Sequence, residues 1–416
     1  MARYKMDELR IDGACCPDKV LEFTMDIGVN RHGVVTYGGY IAEDVARQYV
    51  QQRLDNHVVN IYLKDELEFC GIVQKIRTEQ RSDYWYLKVE LVTSTQLTDI
   101  DKHNRFFQDT DSRYSEVIAE AYDDSGVGNL LSTSRDMAIA LPILQYRETD
   151  WQFTLRMAGN LNTIVIPNVT SDAPQVLLGV PQRRPISELN ETKYKANSKS
   201  WHLSYDMQSD NRYRLGDTVL IQDRDFIVVE KKFAYTQGEL QESYVFGREP
   251  EFAMSYHCNK RIAGLELEGT VISRDGHALT LVLDIDKERN NVSKTWFNYS
   301  PAANNGMYSM PLEDEKVVLK WQSASGHDVL AIRPSRQNSS NMPHHTERHF
   351  LDENDNHLQM LPDMMEYKNP VGNISAFLDI GFVLSTMKNV SLYADDDVKL
   401  SSKDQIRIYS PERIVT

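Results

Sequence analysis

The sequence lacks most of the features that would assign it to a common class. Its 416 residues hold four cysteines, Cys15, Cys16, Cys70 and Cys258, and no C-x-x-C spacing. A disulfide scaffold and a zinc ribbon are thereby excluded; reduced thiols are expected, with Cys15 and Cys16 as small buried hydrophobes. No apolar run approaches the roughly 18 residues that a membrane-spanning helix needs. Met1 to Gly13 carries Asp7, Glu8 and Asp12 and no apolar stretch, unlike a secretory signal. Basic charge is also short: 46 Lys+Arg against 61 Asp+Glu leave a net −15. Nucleic acid and anionic lipid are therefore not expected as general ligands, because both demand clustered cations.

Catalytic signatures are missing too. There is no G-x-S-x-G and no P-loop, and Gly126-Val127-Gly128 lacks the third glycine of a dinucleotide turn. His344-His345-Thr346-Glu347-Arg348-His349 is not H-E-x-x-H, since its glutamate is misplaced and Pro343 argues against a helix. It reads as a linker entering a strand; only one histidine from each of three chains around a common axis would make it a metal site. Asp123-Asp124 and Glu313-Asp314-Glu315 read as turns rather than a glycosidase pair. Trp85 and Trp201 read as core or interface aromatics. No cofactor and no metal are expected.

What is present is mainly β. Hydrophobic residues make up 41% and charged residues 26%, enough for two to four domains with real cores. Val58–Leu63 and Tyr84–Val92 are rich in β-branched and aromatic residues. Val219–Ile221 and Phe226–Val229 suit a hairpin around a four-residue loop, Gln222 to Asp225. Helices are few. A rough apolar stripe covers 41–54. Tyr114, Val117, Ile118, Ala121 and Tyr122 follow helical spacing behind Asp111 or Ser112 as cap. Thr149-Asp150-Trp151-Gln152 is a capping box opening a helix to about Asn160 that buries Trp151, Leu155 and Ala158. From Leu265, apolar alternation, the Asp275-Gly276 turn, Leu279–Ile285, Val317–Trp321 and Val329–Ile332 suit a small closed barrel of the OB type. Pro334 to Pro343 reads as a linker.

The C-terminus repeats every eight residues. Ile374, Phe382, Val390, Val398, Ile406 and Ile414 form one register; Ala376, Leu384, Leu392, Leu400, Ile408 and Thr416 form another two positions later. Residues i and i+2 of a strand share a face, so short strands joined by polar turns such as Ala394–Asp397 and Ser402–Gln405 return an apolar pair to one side at each rung. On a helix an octad would drift by about 80° per repeat and leave no stripe. Ordinary antiparallel strands are the plainer alternative. One such ladder is too thin to cover its own apolar face. Three chains wrapped about one axis would cover it, with Ile374, Phe382, Leu384, Val390, Leu392, Val398, Leu400, Ile406, Ile408 and Ile414 as the axial core.

The order of these modules resembles the phage tail hub–spike and the valine-glycine repeat protein (VgrG) of type VI secretion. Pro142-Ile143-Leu144-Gln145-Tyr146-Arg147-Glu148-Thr149-Asp150-Trp151-Gln152-Phe153, with Arg156, is similar to that family's QYxExDxxFLxR segment, and Phe106-Phe107-Gln108 to its R-x-FQ stretch. Trp296, Pro311-Leu312 and Lys316 to Trp321 are similar to its barrel region. The sequence departs from the family where its octads carry Leu or Ile in place of Gly, and where Glu313-Asp314-Glu315 replaces the usual glycine before a barrel strand. No lysozyme-like domain is expected between barrel and prism, and no effector domain after Thr416.

The resemblance implies hub β-barrels with a small α/β insertion, an OB-fold barrel and a trimeric β-helix or β-prism. Its boundaries would be a first hub barrel over 1–100, the insertion over 101–165, a second hub barrel over 166–255, the OB-fold over 256–335, and linker plus spike over 336–416. It implies a non-enzymatic homotrimer at the centre of a baseplate, joining a hexameric tail tube to a threefold membrane-piercing spike. Its partners would be the tube protein, baseplate wedge proteins, a PAAR-like tip protein, and tape-measure protein or effector cargo, with transient target-membrane contact and no nucleic-acid binding. Assembly would occur in the bacterial cytoplasm. Phage tail, tailocin, extracellular injection particle and type VI system stay undivided. The alternative readings are a tail-associated glycan- or peptidoglycan-degrading spike enzyme and a receptor-binding fibre.

Overall fold

The computed structural model describes residues 3–51, 56–132, 136–181, 194–199, 202–209, 211–222, 224–236, 238–289, 294–300, 310–326, 328–334, 346–352 and 354–409. The chain divides into two compact units, Met1–Ser335 and Arg336–Thr416. Trp201, His344, His345, most of the Pro334–Pro343 linker, Ile414 and Thr416 lie outside the described residues. The fold is mainly β, as the composition and alternation require.

In the first unit, twelve strands of the described residues form one sheet. Its path runs through Tyr194–Lys199, His202–Met207, Glu239–Gly247, Arg224–Thr236, Lys19–Gly28, Val34–Ile41, Tyr84–Thr93, Glu66–Arg81, Val58–Leu63 and Leu9–Gly13. The two stretches expected as separate hub barrels are thus stitched together where Lys19–Gly28 pairs antiparallel with Arg224–Thr236. Alternation decides which side is core. Phe23, Met25 and Ile27 point inward, as do Val59, Ile61 and Leu63, and Leu87, Val89 and Leu91. Each such side chain contributes about 1.5–3 kcal/mol by leaving water. Register shifts at Val20/Glu22, Ile61/Tyr62, Val73/Lys75 and Val228/Glu230 bend the long strands. The expected Gln222–Asp225 loop is shorter than four residues: Ile221 pairs with Arg224, and Gln222 takes φ +51°.

Three helices of eight or more residues occur among the described residues. Helix α1 is Glu43–Gln51, α2 Tyr114–Ser125 and α3 Asp150–Leu161. Helix α2 is not capped by Asp111 or Ser112. It starts later, and the Glu116 carboxylate accepts from the Arg113 N–H at 2.7 Å. Asp136 takes a further first-turn donor, the Ser115 N–H, at 3.3 Å. Helix α3 is capped as its sequence indicates, with Thr149 Oγ1 accepting from the Gln152 N–H at 3.1 Å. Trp151 and Ala158 are buried and Leu155 partly so. The sheet beside these helices is three-stranded, with Gln175–Leu178 between Val165–Pro167 (antiparallel) and Asn129–Ser132 (parallel). It therefore draws on residues beyond 165.

The five-stranded sheet over residues 266–334 closes on itself through a bridge between Tyr299 and Ala331. Asp275 pairs with Ala278 across a two-residue turn in which Gly276 adopts φ +55°. Val271, Leu279, Leu281, Leu283, Leu319 and Trp321 fill the interior. Phe297 faces that core while Trp296 is about half exposed. The acidic triplet that replaces the family's glycine makes the turn by other means: Asp314 takes φ +66°, which short polar side chains tolerate.

The second unit carries a five-stranded antiparallel meander of Arg348–Leu351, His357–Met360, Met364–Lys368, Gly372–Phe377 and Gly381–Thr386. Its last two strands hold the first two octads. Ile374 pairs with Leu384 and Ala376 with Phe382. These octads are arms of a hairpin, reversed at Leu378–Ile380 and Gly381 (φ +95°), and not successive rungs of one path.

Candidate assembly interface

Beyond Thr386 the described chain forms no strand pairing with itself. Its path is nonetheless regular. The backbone bends at Met387-Lys388, Asp395-Asp396 and Lys403-Asp404, eight residues apart, and the last two bends fall in the polar turns read from the sequence. Exposure keeps the same beat: Val390, Val398 and Ile406 are 53%, 54% and 51% exposed, and Leu392, Leu400 and Ile408 are 68%, 67% and 67%. Equal exposure at equal phase accords with one repeating backbone path in the octads beyond Thr386. Ile374, Phe382 and Leu384 are exposed as well. The expected axial residues, Ile414 excepted as lying outside the described residues, therefore expose large apolar side chains by about half or more. Backbone without in-chain strand pairing, on a repeat that exposes its hydrophobes, is suited to pairing with further strands.

The Gln145–Arg156 segment does different work. Arg105 Nη1 donates to Asp150 Oδ1 at 2.6 Å and to Gln145 Oε1 at 2.9 Å, and its Nε donates to Asp124 Oδ2 at 2.7 Å. Gln145 Nε2 donates to Asp150 Oδ1 at 3.0 Å. Arg156 clamps Glu148 through Nε (2.9 Å) and Nη2 (2.7 Å) and donates to the Leu144 carbonyl at 2.8 Å. Arg105, Gln145, Glu148, Asp150 and Arg156 are all buried. A saturated buried network of this kind fixes geometry and offers no free group for chemistry. Phe106 crosses into the small barrel, edge-on to Trp321 at 5.6 Å, while Phe107 stacks on Phe153 at 5.5 Å. Adjacent residues of one strand thus pin two cores together.

A second buried network is not announced by any motif. Lys231 Nζ lies 2.7 Å from Glu68 and 2.9 Å from Glu242 and donates to the Tyr213 carbonyl at 3.2 Å. Tyr4 and Tyr244 donate their hydroxyls to Glu242. Burial lowers the Lys231 pKa against the pull of Glu242, and burial raises Tyr4 to about 12. The available signal is phase: Glu242 shares the inward register of Leu240, Tyr244 and Phe246.

The histidine-rich stretch is represented by His349, whose Nδ1 lies 2.9 Å from His357 Nε2 and whose Nε2 lies 2.9 Å from Glu347. Among the described residues no group of three or more His, Cys, Asp or Glu side chains is arranged to hold a metal. None of the four cysteines is bridged; Cys15 is fully buried, and burial pushes its thiol up to about 11.

No family model matches the sequence, and no curated protein matches it. Solved structures do. The chain is similar to the E. coli c3393 protein, described as a component of the type VI secretion system with structural similarity to T4 bacteriophage tail proteins gp27 and gp5. The identity is 12% over 76% of this chain and 96% of that one, with a TM-score of 0.52. It is similar to the Francisella PdpA-VgrG complex in its half-lidded form, at 9% identity over 91% of this chain and 87% of that one, TM-score 0.55. For the lidless form the identity is 9% over 88% and 93%, TM-score 0.53. Taken with the barrel, the pinned insertion and the octads, these similarities show that the chain has the hub–spike fold of VgrG-like type VI secretion and phage tail proteins.

Proposed function

We propose that this chain is the structural hub–spike of a contractile injection particle, acting as a homotrimer and not as an enzyme. Three copies of the first unit adapt a hexameric tube to threefold symmetry; three copies of the second unit form the spike that is driven through a target envelope. Ile374, Phe382, Leu384, Val390, Leu392, Val398, Leu400, Ile406, Ile408 and Ile414 form its axial core. The partners are the tube protein, the baseplate wedge proteins and a PAAR-like tip protein, with assembly in the bacterial cytoplasm. The observation that carries this reading is the octad-phased exposure of apolar pairs on a stretch without in-chain strand pairing. Closed symmetry is the economical way to cover such a surface, because each copy brings the same one.

The test is the solution mass of the purified chain. A value near three times 47.9 kDa is expected, and a stable monomer refutes the proposal. Val398→Asp with Ile406→Asp places carboxylates on the axis at a cost of several kcal/mol each, so trimer should be lost; wild-type trimer yield would show that this face is not internal.

A further inference from the structure

The histidine-rich stretch over residues 343–349 is no metal motif in sequence, yet the fold gives its last member a partner that the stretch does not contain. Arg348–Leu351 and His357–Met360 form the first hairpin of the second unit. His349 pairs with Gln359 and Leu351 with His357, so the two histidines are diagonal neighbours on one face of that hairpin. It is the polar face, opposite Phe350 and Leu358, and it continues into Glu366, which accepts from Gln359. His349 Nδ1 lies 2.9 Å from His357 Nε2, and the two rings are 29° from coplanar with centroids 5.1 Å apart. They meet nitrogen to nitrogen. The far nitrogen of His349, Nε2, lies 2.9 Å from Glu347 Oε2. A carboxylate only accepts, so Nε2 carries a proton and Nδ1 of the neutral ring holds a lone pair directed at His357. The side chains of His349 and Glu347 are 26% and 28% exposed, which leaves the pair open to ions from solvent.

We infer that His349 and His357 form a two-nitrogen site for a divalent transition-metal ion of tetragonal preference, Cu(II) before Ni(II), with solvent in its other positions. Spacing selects the geometry. Two nitrogens each about 2.05 Å from one ion stand about 2.9 Å apart when they subtend a right angle, and about 3.3 Å apart at a tetrahedral angle. The observed separation is the first of these, so the nitrogens need not spread; the rings pivot about their side-chain bonds until both lone pairs aim at the ion instead of at each other. Donor chemistry agrees, since imidazole suits copper and nickel, and copper stands highest in the order of affinities. Glu347 supplies the outer contact: a carboxylate on the far N–H of a ligating histidine fixes its tautomer and makes it a stronger donor. The ion takes the place of the proton between the rings. In neutral His357 that proton moves from Nε2 to Nδ1, so none need leave the site. Two protein donors fall short of the four of a structural zinc site, in keeping with the lack, among the described residues, of any larger group. Both histidines and the carboxylate belong to one chain, so the site does not depend on the number of copies. Because its donors sit on paired strands, the ion staples the hairpin that opens the second unit.

The experiment titrates the full chain, first stripped of metal, with Cu(II) in a non-chelating buffer and follows binding by calorimetry and by electron paramagnetic resonance. One saturable equivalent per chain is expected, with the hyperfine pattern of two imidazole nitrogens. His349→Ala and His357→Ala should each weaken that equivalent at least tenfold and remove the pattern. Glu347→Gln should weaken it about tenfold and keep the pattern, as an outer partner does. His344→Ala with His345→Ala should leave both unchanged. Copper should slow amide exchange in Arg348–Leu351 and His357–Met360 of the wild-type chain and not of His357→Ala. Exchange in Met364–Lys368 reports whether a variant has kept its sheet; where it has not, the milder His349→Asn and His357→Gln decide by the same titration. A wild-type chain with no saturable equivalent overturns the inference. So does copper that is lost with His344 and His345, or a two-nitrogen pattern that survives replacement of His357.

Discussion

Replacing Lys231 by methionine should destabilise the first unit far more than the loss of one surface charge would. The ammonium is almost fully enclosed, and the Glu242 side chain beside it is wholly so. Methionine preserves the aliphatic stem and removes the charge. Glu242 is then left as a buried carboxylate held only by the hydroxyls of Tyr4 and Tyr244, and Glu68 loses the same partner. Breaking one side of a buried ion pair costs about 3–5 kcal/mol, because the surviving charge keeps its desolvation penalty and loses its compensation. In a unit of this size about 1 kcal/mol moves the midpoint by roughly 2 °C, so a fall of roughly 6–10 °C is expected. The assay is thermal and guanidinium unfolding followed by tryptophan fluorescence. Adding Glu242→Gln to the Lys231→Met background removes the stranded charge, keeps an acceptor for the tyrosines and should recover at least half of the loss. A single-variant cost below about 1 kcal/mol, the range of an exposed pair, would refute the claim that this network is desolvated in solution.

Two further perturbations follow from the packing. Gly39→Ala should destabilise by at least about 1–3 kcal/mol in the same unfolding assay, because the new Cβ would lie 1.9 Å from the Lys19 carbonyl oxygen and the two paired strands must separate; wild-type stability would show that this close approach does not exist. His32 should make the first unit acid-sensitive. Its Nδ1 is 2.8 Å from Thr95 Oγ1, its ring lies tilted against Trp151 with centroids 4.2 Å apart, and burial holds its pKa below the ordinary value, with Asp99 opposing. The unfolded chain takes up a proton there first. The His32 contribution is thus complete above about pH 6.5 and declines as pH falls from there toward the lower folded value. His32→Gln should flatten that part of the stability–pH curve, and an unaltered curve would count against it.

Local chemistry makes several of these elements legible in advance. The Thr149–Gln152 cap, the Asp275-Gly276 turn and the inward alternation of Leu279, Leu281 and Leu283 each depend on neighbours in sequence, and each is found where expected. What escapes is non-local. Nothing near Phe106 announces that its ring fills the core of a barrel formed 160 residues later, or that Gln108 donates to the Leu281 carbonyl at 3.1 Å. Lys231 and Glu242 look like solvated charges until strand phase places both inside. The cap of α2 departs from expectation because Asp111 and Ser112 are good cap residues in isolation, while Glu116, one turn into the helix, reaches back and outcompetes them. The octads are legible as a period, but not the fact that their first two members close a hairpin, since the reversal at Leu378–Ile380 leaves the period intact.

The two units solve the problem of stability in opposite ways, and the difference suits the proposed role. The first unit encloses ion pairs, whose charges carry a desolvation cost that only correct geometry offsets. A hub that must hold several faces at fixed angles gains from that. The second unit hydrogen-bonds its polar ladder within one sheet and exposes its hydrophobes, a surface that the proposed association of copies would cover. In the proposed trimer, completion of the spike would then be coupled to assembly, because strand pairing beyond Thr386 would form between copies. For a part loaded along its length this coupling has a mechanical consequence. Each backbone hydrogen bond nets only about 1 kcal/mol, but bonds between chains that share one axis are lost together or not at all. Resistance then scales with the number of octads engaged, so removing one whole octad, which preserves phase, should weaken the spike without abolishing it. Removing four residues, which moves every later apolar pair out of phase, should abolish it.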